Sequence, residues 1–261
     1  MVIVTAANSA YFMGLENLVG SIHFWAPKHK IILYDLGLEK ADLEEINYWK
    51  NISVVRGFMP QNAPPHCRVI HCYAWKPIAI YHALQQYPAV LWIDAGSDLR
   101  SPLDTVQSHL EREGHFFVQG QDLDMTLMSH DGCYEALNAQ KSDFQGKPYF
   151  AGNLQGYVQH SHAHTHILEP LYTCALKQDC IAPSGSNLTN HRFDQTVLSI
   201  LIYQSGLPII PRTHLLSAHR DELHPDPEQP SAATVYTARC ASEDYVSKIC
   251  DRKFPTDYEE S

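Results

Sequence analysis

The chain has 261 residues, 44% of them hydrophobic, which is enough for one large domain or two small ones around a substantial core. Its 29 acidic against 19 basic side chains give a formal charge of −10, so there is no broad positive field to gather the phosphates of a nucleic acid. No apolar run approaches the roughly 18 to 20 residues of a membrane helix, and the first strand-like segment starts at the second residue, ahead of any charged leader or apolar h-region; a cytoplasmic or otherwise soluble protein without a transmembrane segment is expected, and a Golgi-lumenal one only if an anchor has been removed.

VIVTAA opens the chain as a strand, and Tyr11 to Trp25 follows with Leu15, Leu18, Val19 and Ile22 at helical spacing. KIILYDLG is a second strand, EKADLEEINYWK a helix with an acidic start, and SVVRG a short third strand. Pro77 falls in the first turn of a helix through IAIYHALQQY, where its missing N–H would have had no partner. AVLWID is the fourth strand. Strands separated by helices of roughly 10 to 15 residues predict a mostly parallel α/β sheet covered on both faces. Ligands of such sheets bind beyond the carboxyl ends of the strands. The polar residues there are Thr5 and Asn8, Tyr34 and Asp35, and Asp94 with Asp98. No GxGxxG follows the first strand, so a dinucleotide on a glycine fingerprint is not expected.

After Pro102 the pattern is mixed. HFFVQG predicts a strand, KPYFAGNLQGYV a strand broken by glycines, SHAHTHILEPLYTCALK a helix, HRFDQTVLSILIYQSG a strongly apolar helix and LPIIP a last short strand. From Asp221 on, DELHPDPEQPSAA is rich in proline and charge without a period, which predicts a surface tail or strap over 221–261.

Seven cysteines with no CxxC pair argue against a disulfide framework or a zinc ribbon and predict mostly buried thiols. His162 and His166 of HSHAHTH stand one helical turn apart, but no HExxH and no third ligand accompany them, so a solvated helix face is expected; His66-Cys67 and His71-Cys72 are read the same way. The sequons Asn51-Ile52-Ser53 and Asn187-Leu188-Thr189 matter only in a secretory lumen and carry little weight here.

Carboxylates at the mouth of a parallel sheet suit Mg²⁺ or Mn²⁺, hard cations that bind oxygen ligands together with substrate phosphates. Lys76, fixed between Trp75 and Pro77, and Arg68 are candidate phosphate cations. Gly152 would let a sugar approach the backbone, and Asn153 could bond its hydroxyls. VIVTAANSAYF, AWKP before a helix, AVLWIDAGSDLRSPLD, YFAGNLQGY and HRFDQTVLSIL, in this order and at these separations, resemble a GT-A-type nucleotide-sugar glycosyltransferase over residues 1–220. Soluble enzymes of this kind are encoded by bacteria and some large DNA viruses.

The resemblance implies a Rossmann-like, mixed but mostly parallel sheet with helices on both faces. It also implies a single catalytic domain over 1–220, with a nucleotide-binding half about 1–105 and an acceptor-binding half about 106–220. In that family a DxD motif after a hydrophobic strand holds the metal and the nucleotide. Asp94 matches its first aspartate, Gly96 stands where the second should be, and Asp98 could supply the missing carboxylate for Mn²⁺ or Mg²⁺. His214 or His219 would be the late metal ligand. Thr5, Ala6, Asn8, Tyr34, Asp35, Arg68, Lys76, Asp94, Ala95 and Gly96 would bind the nucleotide sugar. Gly152, Asn153 and Gln195 would line the acceptor side, with Asp122 and Asp124 of the literal DxD in QDLD behind them. Asp194 would be the catalytic base of an inverting reaction. The expected activity is hexosyl or pentosyl transfer from a UDP-sugar to a hydroxyl of a glycan or glycoprotein. The alternatives are a non-catalytic nucleotide-sugar or glycan-binding protein derived from a transferase, and an aspartate-nucleophile phosphatase.

Overall fold

The computed structural model describes residues 1–121, 124–208, 210–211, 215–239 and 241–252. Strand β1 (Val2–Ala7) is buried at every position, as a strand covered on both faces must be. Helix α1 (Phe12–Trp25) buries Leu15, Leu18, Val19 and Ile22, the stripe its spacing predicts. Next come β2 (Ile31–Asp35), α2 (Lys40–Ile46), opened by a reciprocal capping box between Glu39 and Asp42, and β3 (Ile52–Val55). Helix α3 (Trp75–Leu84) carries Pro77 in its first turn and leads to β4 (Ala89–Ile93), the short β5 (Asp98–Leu99), α4 (Asp104–Glu113) and β6 (His115–Gln121). Helix α5 (Asp131–Ala136) precedes β7 (Tyr149–Val158). A π-helical turn over His164–Leu168 runs into α6 (Glu169–Ala175), followed by α7 (Gln178–Ile181) and α8 (Asp194–Ser205). Strands β8 (Leu216–Ser217) and β9 (Val235–Tyr236) come last.

Six strands form a mixed sheet in the order β3-β2-β1-β4-β7-β6, and β5-β9-β8 form a second, small one. The β1–β2 and β2–β3 pairs are parallel, with Ala7 opposite Asp35 and Tyr34 opposite Val55, so the carboxyl ends of these three strands share one edge. Strands β6 and β7 are antiparallel.

The chain divides into two compact units. One holds residues 2–56 and 93–103 with the described residues after 214. Its core is Ile3, Val4, Leu15, Leu18, Ile22, Ile31 and Leu33. The segment expected to be a surface tail is built into this unit. Tyr245 is fully buried, its N–H donates to Asn17 Oδ1 at 2.9 Å, and its carbonyl lies so close to α1 that a Cβ at Gly20 would come within 1.9 Å of the oxygen. The Cys250 N–H donates to His23 Nδ1 at 3.0 Å, and Arg252 pairs with Glu16 and Glu45.

The second unit holds residues 57–92 with the described residues of 104–211. Strand β7 runs unbroken through Gly152 and Gly156, and the irregularity lies instead in its register with β6, which shifts around Gln119. Among the described residues of LPIIP no strand is formed, and Ile210 makes an isolated parallel bridge to Val118. Cys174 and Cys180 form a disulfide across the α6–α7 turn, a pairing that the expectation of mostly buried thiols did not name. Cys67 and Cys133 are buried thiols as expected, and Cys240 lies outside the described residues. Among the described residues no helix is long and apolar enough to cross a membrane.

Candidate functional site

At the shared edge of β1 and β2, the loops that follow the two strands are tied together. Leu36 N–H donates to the Ala7 carbonyl at 2.9 Å, Ser9 N–H to the Gly37 carbonyl at 3.3 Å, and Glu39 N–H to Ser9 Oγ at 2.7 Å. Asp35 sits at the centre of this edge. Its Oδ1 accepts the N–H groups of Gly37 and Leu38, both at 2.8 Å, and its Oδ2 meets Arg56 Nε at 3.1 Å. Arg56 follows β3 directly and is the exposed cation of this edge. Thr5 Oγ1 and Asn8 Oδ1 are buried without a hydrogen-bond partner. Leaving such atoms unsatisfied costs about 1–3 kcal/mol each. Thr5 is fully buried and Ala6 nearly so. Tyr34 is 0% exposed, its ring enclosed by the covered sheet, so it is not offered to a base as expected.

The DAGSD turn belongs to the same unit. Asp94 is half-buried, and its carbonyl accepts the Ser97 N–H at 2.9 Å. Ala95 is buried. The Gly96 carbonyl accepts the Arg239 N–H, and a Cβ at position 96 would stand 3.3 Å from Arg239 Cα. The position where a second aspartate is expected is thus a backbone contact. Asp98, 0% exposed, is held by Arg100 Nε and Nη2 at 2.6 and 3.0 Å and by Asn17 Nδ2 at 2.7 Å. Burial pushes its carboxyl up from the usual range, and the bonds from Arg100 and Asn17 pull against that. Arg100 also reaches Asp244 at 2.8 Å and Ser242 at 3.0 Å. With both oxygens enclosed, Asp98 closes an internal ion-pair network and is not presented as the metal ligand expected of it.

In the other unit, β7, α3 and α8 build a second cluster. Lys76 Nζ lies 3.3 Å from Asp194 Oδ2 and 3.2 Å from the Gly152 carbonyl, with both side chains almost fully buried. The ammonium also stands 5.9 and 5.7 Å from the ring centroids of Trp75 and Trp92, within cation–π range. Gln155 Nε2 donates to the same Gly152 carbonyl at 2.9 Å, and Gln195 Nε2 donates to the Phe150 carbonyl at 2.8 Å. Lys76 is therefore committed to an internal partner and is not the open phosphate cation that its flanks suggested. Phe193, just ahead of Asp194, has φ 45° and ψ −119°, and Tyr73, three residues ahead of Lys76, has φ 52°. Their rings pack 5.6 Å apart. Such backbone costs of order 1–3 kcal/mol per residue and concentrates at functional sites. Beside this cluster, Arg192 Nε is buried without a hydrogen-bond partner.

The remaining expected residues are dispersed. Asp124 accepts from Thr126 Oγ1 at 2.6 Å, Thr126 N–H at 2.9 Å and Gly146 N–H at 2.8 Å. The Thr126 hydroxyl and then the Gly146 and Thr126 N–H groups hold its carboxyl below the usual range, and its oxygens are taken by this turn rather than left for an acceptor. Asn153 is half-buried in β7. Arg68 is exposed on a short turn and donates to the Ala63 carbonyl at 3.1 Å. His219 is exposed, and its N–H donates to Ser217 Oγ at 3.0 Å. Asp122 and His214 lie outside the described residues. His162 and His166 stack at 4.0 Å on an exposed face, as expected. Among the described residues no three His, Cys, Asp or Glu side chains are grouped to hold a metal ion. Of the expected ligands, Asp98 is enclosed, Asp94 is half-buried and His219 is exposed.

Residues 1–81 match a protein-family model described as "Protein of unknown function (DUF1647)". No curated protein matches by sequence. Solved structures match over most of the chain. The bifunctional glycosyltransferase WbbM superposes on 90% of it at 10% identity with a TM-score of 0.56, and the chain spans 45% of WbbM. The galactosyltransferase LgtC, solved with donor and acceptor sugar analogues, covers 90% at 16% identity with a TM-score of 0.52, over 86% of its own length. Mouse xyloside xylosyltransferase 1 covers 97% at 11% identity with a TM-score of 0.54, over 99% of its own length. The chain has a GT-A fold.

Within this GT-A fold, the expected donor residues Thr5, Ala6, Asn8, Asp35, Asp94 and Gly96 fall in one unit, and Lys76, Gly152, Asp194 and Gln195 come together in the other. Arg56 and Arg192 went unremarked in the sequence. A signal existed for each: Arg56 ends the SVVRG strand, and Arg192 stands two residues before Asp194.

Proposed function

We propose that this chain is a glycosyltransferase that takes a hexosyl or pentosyl group from a nucleoside diphosphate sugar, a UDP-sugar first, and passes it to a hydroxyl of a glycan or glycoprotein. The observation that carries the reading is the GT-A fold, matched over nearly the full length of two transferases. The β1–β2 edge supports it locally, with the exposed Arg56 beside Asp35 and the half-buried Asn8, whose Oδ1 is unsatisfied, as polar groups suited to a ribose and base. Asp94, at the end of the most apolar strand, is the proposed nucleotide-binding carboxylate. Asn153 and Gln195 are the proposed sugar and acceptor contacts. Asp194 is the proposed base of an inverting transfer, positioned by Lys76. No step is routed through a metal ion.

The test is a panel of nucleotide sugars screened for thermal stabilisation, with Mn²⁺ and with a chelator, followed by turnover. A donor at a hundred times its dissociation constant adds about 2.7 kcal/mol to the native state. Asp94→Ala should lower donor turnover by about a hundredfold or more, the scale of losing one preorganised contact to the reacting charge, while the protein stays folded. Unchanged transfer by Asp94→Ala removes Asp94 from the mechanism, and NMR of the product anomer decides between inversion and retention.

One observation favours the non-catalytic reading. Gly96 and Asp98 are both taken up by internal contacts, so Asp94 lacks the partner carboxylate of the DxD pattern. Donor binding by calorimetry with neither transfer nor hydrolysis would select that reading. The phosphatase alternative loses its second carboxylate for the same reason.

A further inference from the structure

We propose that Asn187 carries an N-linked glycan and that the chain matures in an oxidising secretory lumen. The proposal is independent of the transferase reading and replaces the cytoplasmic location expected from the sequence.

Asn187-Leu188-Thr189 is an acceptor sequon with no proline at its centre. It sits in the loop between α7 and α8, and all three residues are exposed, Leu188 by 51%. Asn187 Oδ1 accepts the Thr189 N–H at 2.9 Å and the Thr189 hydroxyl at 2.5 Å, so the hydroxyl and the carboxamide that define the acceptor are held against each other on the surface. Asn187 Nδ2 reaches the Gly185 carbonyl at 3.4 Å, the outer limit of a hydrogen bond, so replacing one of its hydrogens removes little from the fold. An exposed leucine at the centre of the loop is also tolerable beside a glycan, which covers it.

The second observation is covalent and separate. Cys174 and Cys180, 2% and 3% exposed, are joined in a disulfide that ends seven residues before Asn187. Structural disulfides persist in secretory and extracellular compartments and are rare under cytosolic reductants. N-glycosylation occurs in the same compartment, so two chemically unrelated features of one short segment demand one environment. The other sequon is held differently. Asn51 has φ 56° and donates Nδ2 to the Pro27 carbonyl at 2.9 Å, and Ser53 is fixed in β3 opposite Ile32, so the inference is confined to Asn187.

In the modification, Asn187 Nδ2 bonds to the reducing-end carbon of an oligosaccharide carried on a polyprenyl diphosphate. The bond from that carbon to the diphosphate oxygen breaks, the diphosphate leaves, and one amide proton is released. The carrier is supplied by the secretory machinery.

The test uses the full protein isolated from the cells that make it. Peptide N-glycosidase should lower its mass by one glycan and leave aspartate at position 187, and without reductant Cys174 and Cys180 should resist alkylation and appear as one linked peptide. In the same cells Thr189→Ala should abolish the mass step and Thr189→Ser should keep it, which separates loss of the acceptor from loss of the fold. Recovery of Asn187 entirely unmodified overturns the proposal, and so does alkylation of both cysteines in the native protein without reductant.

Discussion

Lys76 and Asp194 form an ion pair in a nearly closed environment. Removing one partner of a buried pair leaves the second charge without its counterion, which costs about 3–5 kcal/mol, whereas replacing both by apolar groups of similar volume is often neutral. Lys76→Met and Asp194→Leu alone should each lower unfolding free energy by that amount, and the double variant should lose far less than their sum. Urea unfolding of the four proteins checks this; additive losses would mean that the two side chains do not act on each other. This pair also marks how far single residues were legible. Trp75 and Pro77 flanking Lys76 correctly announced a fixed lysine, but its partner comes from a helix more than a hundred residues later, and no local pattern names it. At Asp98 the deciding residue stood inside the quoted stretch. Two carboxylates four residues apart suggested a cation site, while Arg100, two residues on, claims the second one, with Asn17 of α1 completing its shell. Gly96 is explained by Arg239, again from a distant segment.

At the scale of elements, the helices and strands of the first hundred residues were readable because continuous apolar runs and helical stripes come from burial on two faces and on one. The part after residue 221 was not. Val235 and Tyr236 form a two-residue strand at the end of a short buried run, and Tyr245 and Ile249 are buried farther along a proline-rich chain; pieces this short have no period to detect. Their docking onto α1 is written instead in a glycine. Gly20 in an ordinary helix would be improved by alanine by about 1 kcal/mol. Here the new Cβ would fall 1.9 Å from the Tyr245 carbonyl oxygen, a backbone atom that cannot swing aside. Overpacking of this kind costs about 1–3 kcal/mol or more and outweighs the helix gain. Gly20→Ala should therefore lower the melting temperature and loosen the C-terminal segment, read as faster amide exchange at Tyr245 and Cys250. A raised melting temperature would show that the segment does not rest on α1. The glycines of β7 were misread as breaks for the complementary reason: inside a wide sheet a strand is held by its neighbours, and a missing side chain alone does not interrupt it.

Across the whole molecule, each unit contains a histidine locked neutral by the same arrangement. His191, 0% exposed, accepts the His130 N–H at Nδ1 at 3.2 Å and bonds the Ile181 carbonyl through Nε2 at 3.1 Å. His23 accepts the Cys250 N–H at Nδ1 at 3.0 Å and bonds the Lys50 carbonyl through Nε2 at 2.8 Å. With Nε2 carrying the proton, every bond is satisfied. A second proton would drive Nδ1–H against a backbone N–H. Burial pushes His191 down to about 4, with the Ile181 carbonyl opposing and His130 adding to the shift, and burial also lowers His23. In the unfolded chain both take up a proton near the ordinary histidine value of about 6.5, so below that pH the unfolded state binds protons that the folded state refuses, and stability falls as pH falls. For His191 the loss runs from about pH 6.5 to about 4 and amounts to about 3 kcal/mol, at about 1.4 kcal/mol for each tenfold difference in proton affinity. His23 adds to the loss in the same direction. Unfolding followed between pH 7.5 and 4.5 should show this decline, and His191→Gln, which keeps an amide donor and acceptor but no titrating ring, should start less stable at pH 7.5 and lose less on acidification. An identical slope in wild type and variant would mean that His191 does not carry the acid sensitivity.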